Sequence, residues 1–123
     1  MRTSIFILCF LLIGCTPKVM ITPDKLPDAV VGELYYAEIE ITGGSGPVTA
    51  SGFKRIITPP VLWVEPNYEK DKREGSFYNS LTVKGIPKTT EDITIKISGY
   101  MIPSGWSTAT SKFEKTYIIK VRD

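Results

Sequence analysis

Strict two-residue alternation constrains this chain more than any other feature. Tyr35, Ala37, Ile39 and Ile41 alternate with Tyr36, Glu38 and Glu40, and Ile93, Ile95 and Ile97 alternate with Thr94, Lys96 and Ser98. Near the end, Tyr117, Ile119 and Val121 alternate with Ile118 and Lys120. A period of two places successive side chains on opposite faces of an extended strand, so each stretch reads as a strand with one face in a core. Turn chemistry separates them: Gly43-Gly44-Ser45-Gly46-Pro47, Gly85-Ile86-Pro87 and Pro103-Ser104-Gly105. Val48 to Ile57 reads as a further strand, Thr58-Pro59-Pro60 breaks it, and Val61 to Val64 reads as a short apolar strand that places Trp63 in the core. Pro66 to Ser76 is polar and charged and reads as a loop, after which Phe77 to Val83 resumes extended character. No stretch after the first fifteen residues sustains a helical period. The expectation is an all-β sandwich or barrel.

A chain of 123 residues with 42% hydrophobic residues is sized for one packed domain. Lys and Arg total 15 against 13 Asp and Glu, a net charge of +2 with the signs interspersed, which argues against a nucleic-acid binder. Histidine is absent, which removes the commonest general base and metal ligand.

The N-terminus differs from the rest. Arg2 is followed by an unbroken apolar run from Ile5 to Ile13, about half the ~20 residues that a membrane-spanning helix needs. Its charge and length suit an export signal. The run ends in Leu12-Ile13-Gly14-Cys15, which resembles the lipobox of bacterial lipoprotein signals. The small Gly14 would let the backbone enter a peptidase, and the Cys15 thiol would take the lipid, palmitate included. The resemblance implies a signal peptide over 1–14, a lipidated tether over 15–27 with Pro17, Pro23 and Pro27, and a folded domain over 28–123. Thr16 in place of Asp favours the outer membrane. With Cys9 removed and Cys15 acylated, the domain would have no disulfide and would depend on its core.

Three stretches carry a second resemblance: Val31-Gly32 through Tyr35 and Ile39 to Pro47; Leu81 to Pro87 with the following Ile93–Ile97 strand; and Lys115 to Val121. They resemble the immunoglobulin-like, cadherin-like repeats of bacterial surface proteins. That implies an immunoglobulin-like β-sandwich of about seven strands and a binding or adhesive role. The chain departs from the pattern at Ser98-Gly99, where an acidic residue is usual, so a calcium site there would lack that ligand, and Glu91-Asp92 is the other pair that could take calcium.

Little else in the sequence carries chemistry. No catalytic nucleophile–base pair, metal site or cofactor motif is expected, and an enzyme is not. Glu38 and Glu40 share a strand face about 7 Å apart and read as a solvated face rather than a cation site. Glu91-Asp92 reads as a turn. Trp106 follows a turn, with Tyr100 and Met101 close in sequence; the three read as a contact surface, or Trp106 folds back over the end of the sandwich. Lys70, Lys72 and Arg73 form a second candidate contact in a charged loop. The expected function is a lipid-anchored, non-catalytic binding or structural module of the bacterial envelope that contacts a protein or a surface glycan. The alternative is an inhibitor or immunity-type lipoprotein that blocks an incoming protein or enzyme.

Overall fold

A computed structural model describes residues 18–69, 77–102 and 110–123. Among the described residues, nine strands run in chain order: β1 (Val19–Thr22), β2 (Ala29–Val30), β3 (Tyr35–Gly43), β4 (Phe53–Thr58), β5 (Leu62–Pro66), β6 (Ser80–Gly85), β7 (Ile93–Tyr100), β8 (Lys112–Ile119) and β9 (Val121–Arg122). One sheet has the order β1-β3-β6-β5 and a second the order β4-β7-β8, both antiparallel throughout. β2 pairs in parallel with β9. This division of strands between two sheets is that of the constant-type immunoglobulin sandwich. No helix among the described residues is long and apolar enough to cross a membrane.

The alternating residues face inward as their pattern requires. In β3, Tyr35, Ala37, Ile39 and Ile41 are buried; in β7, Ile93, Ile95 and Ile97; in β8 and β9, Tyr117, Ile119 and Val121. Leu81 and Val83 from β6 and Leu62 and Val64 from β5 complete one core between the sheets. Each fully buried aliphatic side chain contributes about 1.5–3 kcal/mol of transfer free energy.

Two local results differ from the pattern. The stretch from Val48 to Ile57 is not one strand. Val48 stays with the first sheet: its N–H donates to Asn79 Oδ1 (3.0 Å) and its carbonyl accepts from Tyr78 N (2.8 Å). A short 3-10 turn, Ala50–Gly52, then carries the chain across to the second sheet, where β4 begins at Phe53. The tether read as running into an edge strand does so early: Val19–Thr22 pairs with Gly43–Glu40 as the edge strand β1, ahead of residue 28. The β1–β3 pairing needs glycine at 43 and 44. Both have φ near +70°, and a Cβ on Gly43 would meet the Lys18 carbonyl while one on Gly44 would meet Met101 Sδ.

Candidate binding face

The outer face of the first sheet is built by the residues that the core pattern leaves over. In register, Tyr36 of β3, Lys84 of β6 and Trp63 of β5 form one row across three strands, and Glu38, Thr82 and Glu65 form the next. Leu34 and Ile86 flank the first row just outside the strand ends. Trp63 is 66% exposed, Leu34 72%, Tyr36 52% and Ile86 48%. Such a concentration of large exposed apolar side chains is uncommon on a solitary soluble surface and marks contact sites.

These side chains enclose an open groove of about 740 Å³. Leu34, Pro60, Val61, Trp63 and Ile86 form its apolar wall, with Glu65, Lys84 and Lys88 at its polar rim. A more polar trough adjoins it, lined by Tyr36, Glu38, Asn67, Glu69, Thr82 and Lys84. Lys84 joins the two. Its ammonium lies 5.8 Å from the Tyr36 ring centroid, a cation–π distance, and the Tyr36 hydroxyl donates to Glu38 Oε1 at 2.9 Å. Tyr36 is thus held between Lys84 and Glu38. A platform of this kind offers an aromatic face, an apolar wall, and both a carboxylate and an ammonium at the rim. Among the described residues, no group of three or more acidic, His or Cys side chains is placed to hold a metal ion.

The residues singled out from sequence are distributed differently. Trp63 was expected in the core but lies outside, because it is in phase with Glu65 while Leu62, Val64 and Pro66 point inward. Leu34 and Ile86 gave no sequence signal of their own. Met101, expected at a contact surface, is instead fully buried. It continues the inward phase of Ile93, Ile95 and Ile97, its N–H donates to the Ser111 carbonyl (2.8 Å), and its carbonyl accepts from Ser45 Oγ (3.3 Å). Tyr100 is 43% exposed at the end of β7, at the opposite end of the sandwich from the Trp63 groove. Glu40 accepts from Ser80 Oγ at 2.7 Å and Glu38 from Tyr36, so these carboxylates brace the sheet face. Glu91 and Asp92 are exposed, as a turn before β7 requires. Cys15, Lys70, Lys72, Arg73 and Trp106 lie outside the described residues.

No family model matches the chain and no curated protein is similar to it. Among solved structures, the chain is similar to a crystal structure of a point mutant of the SrpA adhesin from Streptococcus sanguinis. The TM-score is 0.51 at 20% sequence identity, over 87% of this chain and 57% of that one. The chain thus spans little more than half of that adhesin structure, and the likeness is one of fold.

Proposed function

We propose that this chain is a non-catalytic binding module of the bacterial cell envelope, anchored through an acylated Cys15, with the Trp63 face as its contact surface for an envelope protein or a glycan. The outer membrane is the expected site of anchorage, from Thr16. The observation that carries the contact surface is the row Tyr36–Lys84–Trp63, three side chains in register, with Trp63 exposed on the apolar groove and Tyr36 exposed on the adjoining trough. The sandwich likeness to a streptococcal adhesin supports a binding role without naming a ligand.

A photo-crosslinking amino acid at position 86, beside the groove, tests this in cells. A discrete adduct that disappears with Trp63→Ala, while a probe at position 96 on the opposite sheet yields none, supports the reading. Equal labelling from positions 86 and 96, or an adduct indifferent to Trp63→Ala, overturns it. Mass measurement of the protein purified from cells tests the anchor, since a chain that keeps residues 1–14 and carries no acyl group is incompatible with it.

A further inference from the structure

The two ends of the sandwich are chemically unlike. Lys18 lies at one end, where its carbonyl accepts from Gly44 N (3.0 Å) and the next residue, Val19, pairs with Gly43. The Trp63 row lies at the other end, because Tyr36 and Gly43 sit near opposite ends of β3, about 23 Å apart at ~3.3 Å per residue. Tyr100, Ile102 and Ser111 belong to the Lys18 end: Met101 N donates to the Ser111 carbonyl, Ile102 N to the Pro47 carbonyl (2.9 Å), and the Met101 sulfur lies against Gly44.

Three observations bear on that end. The first is reach. Cys15 precedes Lys18 by three residues, and three Cα steps extend no further than about 11 Å. The headgroup layer on each side of a bilayer is itself roughly 5–8 Å thick. A lipid on Cys15 therefore leaves almost no slack between Lys18 and the headgroups. The second is charge. Lys18, Lys54 and Lys112 lie at this end, and Glu114, in register with Ser98 and Lys54, is already ion-paired to Lys96. Lysines near a surface are drawn to anionic headgroups. The third is apolar exposure. Met20 (57%) on the outer face of the first sheet, Tyr100 (43%) on the outer face of the second, and Ile102 (40%) after it are exposed around this end, and tyrosine in particular suits the boundary between water and lipid.

We propose that this end of the sandwich is a membrane-docking surface, seated in the headgroups of an anionic bilayer through Lys18, Lys54 and Lys112 with Met20, Tyr100 and Ile102 against the lipid. The proposal rests on acylation of Cys15. Docking fixes the long axis of the domain away from the membrane, and the Trp63 groove faces outward on the far end. Tyr100, read from sequence as a partner contact, is here a lipid contact.

Hydroxyl-radical footprinting tests this with native residues at both ends as reporters. The chain from Cys15 onward is coupled through its thiol to a maleimide phospholipid without spacer, in vesicles of phosphatidylcholine and phosphatidylglycerol. The same chain blocked with N-ethylmaleimide, free in buffer, is the reference. The expected result is a severalfold fall in oxidation of Met20 and Tyr100 on the vesicles, with Trp63 and Tyr36 unchanged. Unchanged oxidation at all four, or protection of Trp63 and Tyr36 instead, overturns the proposal. Because the lipid is supplied chemically, the footprint does not depend on acylation in cells, and the mass measurement above decides that separately.

Discussion

The Tyr117 hydroxyl donates a 2.6 Å hydrogen bond to the carbonyl of Pro23, 94 residues earlier in the chain. Tyr35 does the same for Pro27 at 2.8 Å. Both rings are buried, and both bonds hold the segment that crosses from β1 on the first sheet to β2 beside β9. Proline has no N–H to place in a ladder, so this crossing depends on its carbonyls finding donors. Exposed ion pairs, Lys115–Asp24 at 3.0 Å and Arg122–Asp28 at 2.7 Å, lie along the same segment. Lys115 holds the Asp24 carboxyl below its usual range, chiefly through their hydrogen bond. Tyr117→Phe and Tyr35→Phe each remove one donor and leave a carbonyl unmet. Each is expected to cost about 1 kcal/mol, read as a lower urea midpoint with an unchanged slope. A larger loss for the double variant than for either single one shows that both bonds secure the crossing.

The same two phenols set a pH dependence. Burial, with a smaller contribution from Asp28 near Tyr35 and Asp24 near Tyr117, pushes each up to about 12 from 10. The neutral phenol is the hydrogen-bond donor. Below pH 10 it is protonated in both the folded and the unfolded chain, and its contribution is complete. Between about 10 and 12 the unfolded chain gives up its protons first, so stability falls as pH rises and the contribution is gone above 12. Absorbance titration at the tyrosinate band is expected to show a component near pH 12 that Tyr35→Phe with Tyr117→Phe removes. Tyr35→Phe with Tyr117→Phe should flatten the alkaline fall in stability. A tyrosinate titration that the double variant leaves unchanged above pH 10 would contradict this.

Much of the fold was legible because the buried faces are written in one period. Tyr35–Ile41, Ile93–Ile97 and Tyr117–Val121 face the core as their alternation requires. The binding face was less legible, and the reason is the same period followed too loosely. Val61-Leu62-Trp63-Val64 looks like a continuous apolar run, which suggests a fully buried strand. Extending the phase by two residues to Glu65 and Pro66 would have turned Trp63 outward. Met101 was read by its proximity to Tyr100, although it shares the parity of Ile97. The 3-10 turn after Val48 has only a short local signal, Ser51-Gly52, and closes through Gly52 N to the Thr49 carbonyl, while the distant Asn79 holds the Val48 N–H.

Trp63 and Ile95 separate contact from core. Trp63 projects from an edge strand and is mostly exposed, whereas Ile95 is fully buried between the sheets. Trp63→Ala is expected to change stability by no more than about 0.5 kcal/mol, as for surface positions without special partners. Ile95→Ala should cost about 2–5 kcal/mol through lost transfer energy and the cavity left behind. Thermal midpoints of the two variants check this directly. A Trp63→Ala protein as unstable as Ile95→Ala would make Trp63 part of the packing and remove the basis for the binding face.

Asn79 makes a different demand on its side chain. Its Oδ1 accepts from the Val48 N–H at 3.0 Å while its Nδ2 donates to the Ile41 carbonyl at 3.1 Å, and its own carbonyl accepts from Ile41 N at 2.7 Å. One amide thus joins the end of β3 to the chain on its way to the second sheet, and it needs both an acceptor and a donor. Asn79→Asp keeps the acceptor and loses the donor. It also sets a carboxylate against the Ile41 carbonyl, so near-neutral pH should make it the worse of two single variants. Asn79→Ala loses both bonds without adding charge, at about 1–3 kcal/mol for the partly buried groups left unmet. Lowering the pH through the carboxylate range restores a proton that can donate to Ile41, and the Asp variant should then recover toward wild type while the Ala variant does not. Urea midpoints for both variants near pH 7 and pH 4 measure this. If Asn79→Asp matches wild type near neutrality, the Ile41 bond carries no weight and the Val48 bond alone sets the crossover.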